Sequence, residues 1–186
     1  MTERRRMFRR ALVVAVLVVA ADQATKAAIA SNLFVGERVE VLPIFSLVSV
    51  RNDGVAFNLL SGASELLVLV VTLVALGLLM LVFTRATLGR FGWLGVGLIA
   101  GGALGNLADR LRDGAVVDFI KFDLWPAFNL ADTAITIGIA VLLLGALLED
   151  RSEKADEESG SATTIGPDRG LSPRAEEVGG SIGDPG

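Results

Sequence analysis

Leu66 to Phe83 carries no charged residue across 18 positions, about the length a helix needs to cross the hydrocarbon of a bilayer. In hydrocarbon every backbone N–H and C=O must be satisfied within the segment, so a run of this kind is confined to helix. Three more blocks share the character. Phe91 to Leu107 is uncharged and glycine-rich, Ala11 to Ala30 is interrupted only by Asp22, Gln23, Thr25 and Lys26, and Asn129 to Leu148 holds one charge, Asp132. Four spans are expected, two of them charged near one end. The hydrophobic fraction of 52% agrees, because it survives dilution by a strongly polar tail.

The net charge of −4 averages over compartments. Arg4, Arg5, Arg6, Arg9 and Arg10 precede the first span, and Arg85 and Arg90 flank the link between the second and third. Basic residues in those places mark cytoplasmic ends. Both termini are therefore expected in the cytoplasm, with the connections 31–65 and 108–128 outside. The N-terminal block also fits a cleavable secretory signal, with small residues near Ala20, although Ala24, Ala27, Ala28 and Ile29 prolong it as a helix. Residues 149–186 are rich in Glu, Asp, Ser, Gly and Pro and lack aromatics, the composition of a disordered tail. The domain reading is a membrane unit over 1–148 and a disordered cytoplasmic tail over 149–186.

The first outer connection alternates apolar and polar side chains over Glu37 to Leu42, which predicts a strand. Pro43 breaks it, Phe45 to Val50 reads as a second strand, and Asn52-Asp53-Gly54 is a tight-turn signal. In the second connection Val116 to Phe122 is strand-like, and Pro126 followed by Asn129 opens the last helix. A small sheet capping the outer helix ends is the expected result.

The chain has no histidine and no cysteine. Disulfides are ruled out, the usual zinc ligands are missing, and hydrolytic chemistry falls to carboxylates, amines, hydroxyls or water. No basic patch interleaved with aromatics points to nucleic acid. An ionisable residue at a membrane helix end is costly and therefore a functional-site hypothesis, which singles out Asp118 and Asp132. Asp132 has a structural reading too: with Asn129 as N-cap it sits at the third helical position, as in a capping box, beside the positive helix end. Asp118 lies among Val116, Val117, Phe119, Ile120 and Phe122, whose bulk raises its pKa by desolvation. It either pairs with Arg110, Arg112 or Lys121, or approaches Asp132. In the second case the two carboxyls share one proton, with Asp132 as the ionised member.

Asp22 and Lys26 are four apart and share a helix face. Asn106, Asp109 and Arg110 are similarly spaced at the end of the third span. They orient helices as ion pairs or position the carboxylates. Asn52, Gly54 and Ala56 either make a turn or hold substrate backbone. The glycines at 92, 95, 97, 101, 102 and 105 read as helix-packing positions.

The segments DQATK (22–26), VRNDGVAFN (50–58), GGALGNLADRLRDGAVVDFI (101–120) and PAFNLADTAITIG (126–138) resemble, in order, those of the bacterial type II (lipoprotein) signal peptidase family. The resemblance covers roughly residues 10 to 148. It implies a membrane all-α fold with a small β element: four transmembrane helices and an extracytoplasmic antiparallel β cradle. It also implies a membrane aspartic endopeptidase that needs no metal or other cofactor and is inhibited by globomycin. The implied substrates are diacylglyceryl-modified prolipoproteins, cut just before the lipidated cysteine. The implied catalytic pair is Asp118 and Asp132, supported by Asp22, Lys26, Asn52, Gly54, Ala56, Asn106, Asp109, Arg110, Asn129 and Ala131. A monomer in the bacterial cell membrane, with the site near the outer face, completes the expectation. Phe57, Phe119 and Phe128 are expected to flank a slot for the acylated substrate.

Two other classes fit parts of this pattern. A transporter would use Asp22, Asp118 and Asp132 as an ion path but predicts polar residues deeper in the spans. A non-enzymatic assembly factor would tolerate Asp→Asn at both positions.

Overall fold

A computed structural model describes residues 3–52, 65–85 and 91–163. The element order is α1 (Glu3–Asn32), β1 (Arg38–Leu42), β2 (Phe45–Asn52), α2 (Glu65–Arg85), α3 (Gly92–Asp113), β3 (Val116–Phe122) and α4 (Leu130–Thr163). Two compact units are distinguished, Met1–Asp150 and Arg151–Gly186. The site lies wholly in the first.

Each apolar block of the sequence falls on a helix, but the helices run past the blocks. α1 takes in the arginine cluster from Glu3 onward, α3 continues through Asp109, Arg110 and Arg112 to Asp113, and α4 runs on to Thr163, so that residues 149–163, expected as disordered tail, are helical. Gly114 then ends α3 at φ 72°, its N–H bonded to Arg110 O at 3.0 Å. That left-handed conformation costs a glycine little.

Among the described residues, Glu3–Asn32 and Leu130–Glu149 are long and apolar enough to cross a membrane, with mean hydropathies of 1.8 and 2.1. Only 17% of each apolar window is buried within the molecule. The core helix of a water-soluble protein would bury most of it. Leu12, Val13, Val16 and Leu17 on α1 are exposed, as are Leu143, Leu144, Leu147 and Leu148 on α4. Meanwhile Asp22, Lys26, Asn106, Asp109, Asp118 and Asn129 are buried. Apolar side chains are thus left outward along these helices while charged ones are buried, as a bilayer solvent favours.

Glycine lets α3 sit tightly between two neighbours. A Cβ added at Gly97 would lie 2.7 Å from Ala11 O, and one at Gly101 would lie 2.8 Å from Ala15 O, both on α1. Gly95 and Gly102 meet α4 instead: a Cβ at Gly95 would lie 2.9 Å from Gly138 O, and one at Gly102 would run into Ala131 O. The small residues thus serve two faces of one helix, which holds α1 and α4 at backbone distance. Ala11 and Ala15 are buried in this packing.

The three strands form one antiparallel sheet in the order β1-β2-β3. The strands fall where the sequence suggests them, β2 running on to Asn52, and a bulge falls between Leu47 and Val50 where β2 meets β3. Past β3 the chain turns at Phe122–Trp125 and runs back along it, with Phe128 N–H bonded to Ile120 O at 3.0 Å and Ile120 N–H to Phe128 O at 2.8 Å. This return sets Asn129 beside Asp118.

Gly102→Ala is expected to lower stability by about 1–3 kcal/mol, since backbone of α4 rather than a flexible side chain must move. Gly145→Ala, which meets nothing within 4 Å, is expected to be neutral or slightly stabilising through helix propensity. Thermal unfolding of both variants in one detergent checks the contrast.

Candidate active site

Asp22 and Lys26 lie one turn apart on α1, as their spacing predicts, with Lys26 Nζ 2.8 Å from Asp22 Oδ2. The same ammonium reaches Asp109 Oδ2 at 2.7 Å and donates to Asn106 Oδ1 at 2.8 Å, both on α3. Its three N–H donors thus have three acceptors. The side chains of Lys26, Asp22 and Asp109 are 3% exposed or less. A buried ion pair is tolerable only when its remaining polar atoms are satisfied; Asp109 Oδ1 accepts from Gln23, while its Oδ2 has the Lys26 ion contact alone among the described residues. Asp22 Oδ1 accepts the Ala131 N–H at 2.9 Å, so a carboxylate of α1 caps the first turn of α4. Ala131 is fully buried, and at this close approach to α3 a larger side chain would not fit.

The start of α4 is a reciprocal capping box. Asp132 N–H donates to Asn129 Oδ1 at 3.0 Å, and Asn129 N–H donates to Asp132 Oδ2 at 3.3 Å. This local motif fixes Asp132 on its helix. Asn106 then holds it from α3, donating from Nδ2 to Asp132 Oδ1 at 2.8 Å. Because Asn106 Oδ1 already accepts from Lys26, its amide group has one workable orientation, and its N–H face is turned to Asp132.

Asp118 comes from the sheet. Asn52 on β2 donates to its Oδ2 at 2.9 Å, and Asn129 Nδ2 donates to its Oδ1 at 2.8 Å. Asn129 Nδ2 also lies 3.1 Å from Asn106 Oδ1. Asn129 therefore touches both carboxylates, Asp118 through its side chain and Asp132 through its backbone. Asp118 is 2% exposed, whereas Asp132 is part-exposed. Burial pushes the Asp118 carboxyl up to about 6; the hydrogen bonds from Asn52 and Asn129 pull it down, and the neighbouring Asp132 charge adds to the rise.

Asn129 links Asp118 to Asp132, one of the partners the sequence offered it. Among the described residues no cation pairs with Asp118. Arg112 bonds Asp113, Gln23 and Asp109, and Lys121 donates to Trp125 O at 2.7 Å. Arg110 Nη1 reaches Asn106 O only at 3.5 Å, and its buried Nε has no partner among the described residues.

The structure brings together Asp22, Lys26, Asn52, Asn106, Asp109, Asp118, Asn129, Ala131 and Asp132, with Arg110 one turn beyond Asn106. Gly54, Ala56 and Phe57 lie outside the described residues. Strand alternation sends Phe119 to the face opposite Asp118, so it does not flank the carboxylates. Phe122 shares the Asp118 face instead, between Phe45 at 5.5 Å and Phe128 at 6.2 Å, centroid to centroid. Sequence reasoning also missed Gln23, which donates to Asp109 Oδ1 at 2.7 Å and accepts from Arg112 Nη1 at 3.2 Å. Its place next to Asp22 in DQATK was the available signal.

Lys26→Met would leave Asp22 and Asp109 buried without their shared cation. It is expected to cost about 3–5 kcal/mol, read as a large fall in unfolding temperature or loss of folded protein from detergent extracts.

A family model described as signal peptidase (SPase) II matches residues 14–148. A lipoprotein signal peptidase of Pelotomaculum thermopropionicum is 46% identical over 147 residues, covering 78% of this chain and 96% of its own. One from Staphylococcus aureus is 38% identical, covering 79% of this chain and 93% of its own. A bacterial membrane enzyme solved by the in meso method superposes with a TM-score of 0.69 at 37% identity, over 77% of this chain and 90% of that one. The chain belongs to the signal peptidase II family.

Proposed function

We propose that this protein is a membrane aspartic endopeptidase that removes signal peptides from diacylglyceryl-modified prolipoproteins, cutting on the N-terminal side of the lipidated cysteine. The observation that carries this reading is Asn129 bound to two carboxylates delivered by different elements, Asp118 from β3 and Asp132 from α4. A pair so placed holds one proton between two acids more cheaply than it holds two charges.

In the proposed reaction Asp132, the less buried member, is ionised and takes a proton from a water molecule. The water oxygen attacks the scissile carbonyl carbon while Asp118 gives its proton to the carbonyl oxygen. Collapse of the tetrahedral intermediate breaks the C–N bond: the proton held on Asp132 passes to the leaving nitrogen, and one hydroxyl of the intermediate returns its proton to Asp118 as the C=O re-forms. Asn52, Asn106 and Asn129 keep the carboxyls in place, and the Arg110 Nε, which has no partner among the described residues, is a donor for substrate. Gly54 and Ala56 complete the substrate contacts in this reading. The Phe45–Phe122–Phe128 row supplies an apolar wall for an acylated substrate.

The membrane placement rests on apolar helix surfaces left exposed and on the arginines. All four helices are spans, α2 and α3 included, with both termini cytoplasmic, the sheet as an outer cradle, and the pair near the outer face. The peptidase unit ends near residue 148, and residues 149–186 form a cytoplasmic tail. The closed Asp22–Lys26–Asp109 ion cluster argues against an ion path, because its cation is covalently part of the chain.

Asp118→Asn and Asp132→Asn are each expected to lower kcat on a diacylated prolipoprotein peptide by roughly 100- to 10,000-fold without loss of folded protein. Full activity in either variant would sink the two-carboxylate mechanism. In the wild type the protonated form of Asp118 is the active acid. Its ionisation with rising pH removes activity, so kcat/KM is expected to fall through an apparent pKa of about 6 that belongs to the pair. A profile that rises through that pH instead would contradict the assignment of the proton.

A further inference from the structure

At the other end of the molecule, Arg6, Arg9, Arg10, Val13 and Val14 of α1 and Trp93 of α3 enclose a pocket of about 570 Å³. The five α1 residues recur at helical spacing and so share one face, while Arg4 and Arg5 fall on other faces of the same helix. Arg10 Cζ lies 5.6 Å from the centre of the Trp93 ring, a cation–π contact that fixes one guanidinium at the pocket wall. Arg6, Arg9, Arg10 and Val13 are exposed.

We infer that this pocket binds an anionic phospholipid of the cytoplasmic leaflet. The guanidinium groups meet the phosphodiester, and Val13, Val14 and the indole of Trp93 meet the glycerol and the upper acyl chains. The inference rests on the membrane topology proposed above, which puts these residues at the inner headgroup layer. Three arginines on one helix face bind a phosphate through paired N–H donors, which a scatter of surface charge does not. Basic pockets between helices at the cytoplasmic side are suited to anionic headgroups, and tryptophan prefers that depth. A free phosphate shares the headgroup chemistry, but the apolar half of the pocket gives it nothing to bind. The lipid is therefore the occupant.

The test uses the full chain carrying Trp125→Phe, which leaves Trp93 as its single tryptophan. Trp93 emission is followed in detergent micelles as brominated phosphatidylglycerol or brominated phosphatidylcholine is added. The ratio of the two half-quenching mole fractions is compared within each variant, which cancels changes in Trp93's own emission. The anionic lipid is expected to quench at a roughly tenfold lower mole fraction. Arg6→Gln with Arg10→Gln removes that preference, and Arg4→Gln with Arg5→Gln keeps it. Equal quenching by the two lipids, or equal loss of preference in both double variants, overturns the site in favour of diffuse attraction. Displacement of the lipid by glycerol 3-phosphate overturns it in favour of a soluble anion. Peptide cleavage by the same wild-type preparation is a separate readout: its absence would count against the aspartic-peptidase reading and leave the lipid preference standing.

Discussion

The buried ammonium of Lys26 is the interaction on which the rest of the structure turns. It neutralises Asp22 and Asp109 on two helices and, through Asn106, reaches a third. Burying two carboxylates with no cation would cost several kcal/mol for each charge. Both carboxylates then act at a second place: Asp22 caps α4 at Ala131, and Asp109 holds Gln23 and Arg112. One cation thus fixes the relative depth of α1, α3 and the first turn of α4.

That network is affordable only because the helices approach closely. Glycines at 97 and 101 admit the α1 backbone, and those at 95 and 102 admit α4. A Cβ at Gly105 would lie 2.7 Å from Asp22 Oδ2, so packing and electrostatics meet at one residue. Apolar side chains are left to face outward, where lipid rather than water is the favourable neighbour. A small apolar core, Val96, Leu107, Val116 and Phe119 among it, is joined by polar satisfaction at one end of the bundle and small-residue packing along it.

The sheet has a different task. It delivers Asp118 from a rigid strand and turns the chain back so that Asn129 meets it, while the capping box holds Asp132 from the helix side. Asparagine suits the junction because its amide donates and accepts at once and adds no charge of its own. The two carboxyls consequently sit in unequal surroundings, one buried and raised, one part-exposed at a helix start. That inequality is what acid–base work by a pair of like groups requires. The proposed lipid pocket lies at the opposite end of α1, where arginines that mark topology are also arranged on one helix face.

Much of the fold was legible because its causes are short-range. Absence of charge over a membrane-spanning length marked the helices, period-two alternation marked β1, short apolar runs marked β2 and β3, and fixed spacings gave the Asp22–Lys26 pair and the Asn129–Asp132 cap. The amino-acid sequence by itself also determined which residue types any chemistry must use, since it holds neither histidine nor cysteine. Only the tertiary structure decided that Asn52, 66 residues away, and Asn129 hold Asp118, and that Asp22 caps a helix 109 residues on. Those outcomes depend on strand register and on how closely helices can approach. Both are set by many contacts acting together, so no single spacing along the chain encodes them.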